Sequence, residues 1–142
     1  MNQMKNPVRI YFSGSIRGGR SDTKLYRQII EYLQNYGDVL TEHIGHEMIE
    51  DGIGQTDRQI YEQDMEWLRE SDIVIAEVST PSLGVGYEIG RAVSMNKKVV
   101  CLYRSEVRKN VSAMIKGSSN LECAEYKTME DAKKIIHAVF SQ

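Results

Sequence analysis

The chain is expected to fold as a doubly wound α/β domain built on five parallel strands. Three observations predict this. Apolar runs of strand length alternate with amphipathic segments of helical length from end to end, the pattern of helices covering both faces of a parallel sheet. Ile73 to Val78 is a nearly unbroken apolar run rich in β-branched residues, as a strand buried on both sides requires. Two glycine-rich turns, Ser13 to Gly19 and Ser79 to Gly86, each follow such a run.

Taken in order, Val8 to Phe12 is the first strand. Asp22 to Tyr36 follows as a helix, with Leu25, Ile29, Leu33 and Tyr36 on one face and Gly37 as its C-terminal stop. Val39 to Thr41 is a short second strand. The polar, glycine-containing stretch Gly45 to Thr56 is expected to be a mobile loop with at most one helical turn. Asp57 to Glu70 is the second helix, and the strand at 73–78 comes next. Pro81 ends that extended segment, leaving Ser82, Gly84 and Gly86 to present backbone amides to a ligand. A helix runs from about Val85 to Met95, then a strand over Lys98 to Tyr103 and a short helix over Val111 to Lys116. A fifth strand over Leu121 to Tyr126 and a helix over Met129 to Phe140 close the chain. Flavodoxin-like order 2-1-3-4-5 is the simplest topology with right-handed crossovers. In such a sheet, ligands bind beyond the carboxyl ends of the strands, where the order reverses between the first and third. Both glycine-rich turns leave at that point, although either alone could serve only the backbone.

The 142 residues fit one domain, spanning 1–142 with no linker or repeat, large enough to bury a core without staples. A net charge of −2 argues against a nucleic-acid polymer as partner, because that needs a concentrated basic face. Lys97, Lys98, Arg104, Arg108, Lys109 and Lys116 are scattered, and are expected to be solvated surface charge with one or two free to meet a small anion. Cys101 and Cys123 lie far apart in strand-like runs, without metal or redox spacing, and are expected to be buried free thiols. Met1 to Pro7 is polar, and no segment approaches transmembrane length, so no membrane association and a cytoplasmic location are expected.

Two acids stand out. Glu88 lies in or near the first turn of its helix, on the flank of the stripe Val85, Ile89, Ala92 and Val93. It either complements the helix dipole there or serves a ligand. Gly86 and Gly90, each costing about 1 kcal/mol against alanine within a helix, suggest close approach of a ligand or a neighbouring backbone. Asp64 stands among Ile60, Trp67 and Leu68 on the buried face of its helix, so it must pair with a cation or open onto a polar cavity. Tyr11, ending the first strand, either packs in the core or aims its hydroxyl at the same crevice. Ser15, Arg17, Gly18 and Gly19 offer amides and a guanidinium to an anion, without the Gly-Lys-Ser/Thr of a Walker A loop. His43 and His46 superficially suggest a zinc motif, but their order is wrong and no third ligand is placed. With no GxSxG elbow, and no convincing base for either cysteine, covalent or acid–base chemistry falls to carboxylates.

The motifs Tyr-Phe-Ser-Gly-Ser-Ile-Arg-Gly-Gly (11–19), Leu-Thr-Glu-His (40–43), Glu-Gln-Asp-Met-Glu-Trp-Leu (62–68), Pro-Ser-Leu-Gly-Val-Gly-Tyr-Glu-Ile-Gly-Arg-Ala (81–92) and Ser-Ala-Met-Ile-Lys-Gly (112–117) span nearly the whole chain. In order and spacing it resembles the 2′-deoxynucleoside 5′-phosphate N-hydrolases, a branch of the nucleoside 2-deoxyribosyltransferase superfamily. The resemblance implies that Glu88 is a nucleophile attacking the anomeric carbon, Asp64 an acid assisting departure of the base, and Tyr11 the residue orienting nucleophile or sugar. It implies a substrate site formed by Ser13, Gly14, Ser15, Ile16, Arg17, Gly18 and Gly19 with Ser82, Gly84, Ser112 and Met114, Ser112 coming from the other subunit of a homodimer. It implies no metal and no organic cofactor. Tyr61 departs from the pattern, standing where animal members carry histidine. Two rivals remain: a deoxyribosyltransferase acting on unphosphorylated nucleosides, and a non-catalytic nucleotide sensor on the same fold.

Overall fold

In a computed structural model, which describes residues 6–16, 19–41, 55–106 and 110–142, ten elements follow one another. They are β1 (Val8–Gly14), α1 (Gly19–Leu33), β2 (Gly37–Val39), α2 (Asp57–Glu70), β3 (Ile73–Glu77), α3 (Leu83–Ser94), β4 (Lys98–Tyr103), α4 (Ala113–Lys116), β5 (Glu122–Glu125) and α5 (Met129–Phe140). The strands form one parallel sheet in the expected order, β2-β1-β3-β4-β5. Alternate strand residues feed two cores. Ile10, Phe12, Ile75 and Leu102 pack with α1 and α5 on one face, and Tyr11, Val74, Ala76 and Cys101 with α2 and α3 on the other.

Some boundaries differ from the sequence expectation, each for a local reason. The second strand is Gly37–Val39, not Val39 to Thr41. Gly37 is not a helix stop, because α1 already ends at Leu33 and Gly37 pairs with Val8. A Cβ at Gly37 would lie 2.2 Å from the Val8 carbonyl oxygen, so only glycine permits that pairing. Thr41, just past the strand, instead uses its side chain: Oγ1 accepts from the Phe12 amide at 2.9 Å and donates to the Phe12 carbonyl at 2.7 Å. The third helix starts at Leu83 rather than Val85, since Ser82 caps it by accepting from the Val85 amide at 3.2 Å. That helix ends at Ser94, and Asn96 takes a positive φ of 61° two residues later, a conformation asparagine tolerates.

Thr56 and Gln59 form a reciprocal capping box that fixes the start of α2. Most of the Gly45–Thr56 stretch, with His43 and His46, lies outside the described residues. Among the described residues, no helix is long and apolar enough to cross a membrane. Cys101 and Cys123 are free and face one another across β4 and β5, the first buried and the second half-buried.

Candidate active site

The carboxylate of Glu88 lies at the centre of the site. Because α3 begins at Leu83, Glu88 sits in its second turn, beyond the reach of first-turn dipole stabilisation expected from sequence. It is half-buried, and burial pushes its carboxyl up to about 8. Two hydroxyls from β1 hold it. Tyr11 Oη donates to Oε2, and Ser13 Oγ donates to Oε1 at 3.0 Å. Tyr11 and Ser13 are both 1% exposed, so the strand fixes their positions while the helix delivers the acid between them. Both Tyr11 alternatives therefore hold in part: its ring packs in the core and its hydroxyl reaches Glu88, which lines the crevice. Ser13, expected as a ligand group of the glycine-rich turn, lies in the strand and gives its hydroxyl to Glu88.

Glu88 and Asp64 share the walls of two cavities. The larger, about 700 Å³, lies among Gly14, Ile16, Gln63, Asp64, Ser82 and Glu88. The smaller, about 260 Å³, lies between α2 and α3, flanked by Tyr61 and Tyr87, whose hydroxyls meet at 3.1 Å. Asp64 is half-buried and borders both. The stripe Ile60, Gln63, Asp64 and Trp67 lines the larger cavity at i, i+3, i+4 and i+7. Of these four, Gln63 alone escapes the sequence reading, although the same spacing includes it.

The remaining expected residues divide into groups. Gly14 lines the cavity wall, yet a Cβ there would stand 2.9 Å from the Tyr26 ring, so packing already requires the glycine. Ser15 is buried, Ile16 is exposed at the cavity mouth, and Gly19 opens α1. Arg17 and Gly18 lie outside the described residues. Ser82 and Gly84 line the larger cavity with Glu88. Ser112 and Met114 do not. They line a third cavity of about 610 Å³ on the other side of the Ser82 turn, and Ser112 caps α4 through the Met114 amide at 3.2 Å. A Cβ added at Gly86 or Gly90 would meet nothing within 4 Å, so among the described residues no neighbouring backbone explains these glycines.

On the opposite face of the sheet lies an assembly that no sequence motif announces. Glu77, within the apolar run of β3, is 0% exposed. It accepts from the Ser79 amide at 2.7 Å, Arg104 Nε at 3.2 Å and Tyr126 Oη. Arg104 continues to Asp22 at 3.1 Å, and Thr80 Oγ1 donates to Asp22 at 3.2 Å. Arg104, expected among the solvated surface charges, turns inward because two buried carboxylates need its guanidinium. The network ties the Ser79–Thr80 turn to α1, β4 and β5, and so steadies the approach to Ser82. Among the described residues, no group of three or more His, Cys, Asp or Glu could hold a metal ion.

The family model described as nucleoside 2-deoxyribosyltransferase matches residues 10–136. The chain is 47% identical over 140 residues to the 5-hydroxymethyl-dUMP N-hydrolase of Esox lucius, covering 94% of this chain and 96% of the relative. It is 52% identical over 116 residues to the protein of the same name from Tetraodon nigroviridis, covering 80% and 82%. In fold it is similar to a solved Clostridium botulinum CMP N-glycosidase, with a TM-score of 0.67, 22% identity, and coverage of 92% of this chain and 98% of that one.

Proposed function

Because the chain belongs to the nucleoside 2-deoxyribosyltransferase family, we propose that it hydrolyses the N-glycosidic bond of 2′-deoxynucleoside 5′-monophosphates. The products are the free base and 2-deoxyribose 5-phosphate. The observation that carries this is Glu88 held by Tyr11 and Ser13 across one cavity from Asp64, with Ser82 and Gly84 on the same wall. A single nucleoside 2-deoxyribosyltransferase-like domain in the cytoplasm accounts for all of it.

The reaction runs as in retaining glycosidases. A Glu88 carboxylate oxygen attacks C1′ as the C1′–N bond breaks, and that bond's electrons leave with the base. Asp64 supplies the proton that neutralises the departing nitrogen. A raised proton affinity makes the ionised Glu88 a better nucleophile, and the positive charge developing at C1′ favours that ionised form. The ester so formed is then cleaved by water, which loses a proton to Asp64, adds to C1′ and frees the Glu88 carboxylate. Tyr11 and Ser13 keep the carboxylate aimed throughout. No step calls for a metal or organic cofactor.

Uncharged groups suit the phosphate tail. Ser15, Ser82 and the Gly84 amide donate to it without charge conflict, and the family resemblance adds Arg17, Gly18 and Gly19 to the groups that meet it. Ser112 and Met114 line a different cavity from their own chain's Glu88, which supports a homodimer in which each copy supplies Ser112 to the other's site. A transferase on unphosphorylated nucleosides would use an acid or amide at the 5′-hydroxyl, and a carboxylate there would repel a phosphate.

Chromatography of mixtures with deoxy- and ribonucleoside monophosphates tests the activity. Free base from dGMP is expected, and Glu88→Ala is expected to abolish release while retaining dGMP binding. Persistent turnover in that variant removes Glu88 as nucleophile, and no release by the unaltered protein favours a sensor. Faster reaction of deoxyguanosine with an added base favours the transferase. For the dimer, mixing inactive Glu88→Ala with weakened Ser112→Ala chains should restore activity through hybrid sites; no recovery refutes sharing of Ser112.

A further inference from the structure

Gln63 is half-buried on the α2 stripe beside Asp64, in the wall of the larger cavity, and its amide makes no hydrogen bond with any described residue. With no such partner and not fully enclosed, its donors and its acceptor are free to meet the edge of a ligand in the cavity. Besides Asp64, the stripe around it is apolar, Ile60 and Trp67, and Ile16 lines the same cavity. Apolar side chains with a few polar groups, the Gln63 amide among them, are the composition of a pocket for a planar heterocycle.

We infer that Gln63 recognises the polar edge of the departing base. This rests on the N-hydrolase assignment for the direction in which the nucleotide lies. By that assignment Ser82 and Gly84 take the phosphate end and Glu88 meets C1′, which leaves the α2 wall that carries Asp64 and Gln63 for the base. A carboxamide offers one donor and one acceptor side by side, which matches an edge carrying an adjacent acceptor and donor. A carboxylate in its place only accepts. Guanine presents two neighbouring donors, whereas the uracil edge alternates acceptor, donor, acceptor, so Gln63→Glu should move preference toward guanine.

The test compares dGMP with dUMP in the unaltered chain, Gln63→Glu and Gln63→Leu. Hydrolysis gives the ratio of kcat/KM, and titration of the same changes in a Glu88→Ala background gives the ratio of Kd without turnover. Added charge beside Asp64 alters both substrates together and cancels in the ratio. Gln63→Glu is expected to shift the dGMP to dUMP ratio about tenfold or more toward dGMP, and Gln63→Leu to bring it toward parity. Binding of 2-deoxyribose 5-phosphate, which has no base, should change by no more than about twofold. Unchanged ratios in both variants overturn the inference, and so does an equal loss for both nucleotides and the sugar phosphate, which marks a structural role. If the unaltered chain releases no base, the hydrolase assignment falls, and the Kd ratios alone decide the role of Gln63.

Discussion

Replacing Glu88 with glutamine should change how stability depends on pH. Burial raises the Glu88 carboxyl from 4.5 to about 8 in the folded chain. Between those values the native protein holds a proton that the unfolded chain has released. Stability from this group is therefore fully present below pH 4.5 and is lost as pH rises toward 8. Each pH unit in that window contributes about 1.4 kcal/mol, so the whole interval amounts to about 5 kcal/mol. The figure is a ceiling, because the Tyr11 and Ser13 hydroxyls donate to the carboxylate and favour its ionised form. Glutamine carries no charge at any of these pH values. Thermal denaturation of both proteins from pH 5 to pH 9 should show curves that separate with rising pH, Glu88→Gln becoming the more stable. From pH 5 the change is about 4 kcal/mol, so at about 3 °C per kcal/mol for a chain of this size the gap should grow by up to about 12 °C. A gap that stays constant across the range would mean that the carboxylate ionises as it does in water. The kinetic counterpart is an acid limb in kcat/KM that climbs toward pH 8. It is separable from the substrate, whose phosphate has the midpoint of its second ionisation near pH 6.

Other perturbations test the supporting structure. Tyr11→Phe keeps the buried ring and removes the donor to Glu88, so kcat should fall about 10- to 100-fold with KM little changed; steady-state kinetics on dGMP decides, and an unaltered kcat refutes an orienting role. Arg104→Ala leaves Glu77 buried with only Ser79 and Tyr126 as donors and should cost about 3 kcal/mol in urea denaturation. Gly37→Ala drives a methyl into the Val8 carbonyl and should destabilise by more than about 2 kcal/mol, whereas Gly90→Ala enters open space and should stabilise by about 1 kcal/mol. Equal effects of the two glycine changes in the same denaturation assay would contradict the backbone contact at β2.

The strands are legible in the sequence because burial on both faces leaves an unmistakable apolar run, as in Ile73 to Val78, and the order of the sheet follows from crossover handedness. Tyr11, Asp64 and Glu88 are legible as candidates because each polar group interrupts an otherwise buried pattern. The starts at Asp57 and Met129 are legible too, but that of α3 is not, since Ser82 caps it three residues before Val85, the first apolar position of its expected stripe. Glu77 is hidden for a different reason. Arg104 and Tyr126 lie 27 and 49 positions from it along the chain, and Asp22 lies 82 positions from Arg104. No local pattern encodes such partners, and only the folded sheet assembles them. Gln63 is obscured by its more conspicuous neighbour.

Ser82 ends the turn on which the substrate's tail is proposed to rest, and it also caps the helix that carries Glu88 six residues later. Anchor and warhead are thus mounted on one short lever. A nucleoside without its tail would forfeit alignment as well as grip, and the penalty would surface in the speed of the bound complex, where adding more nucleoside gives no relief.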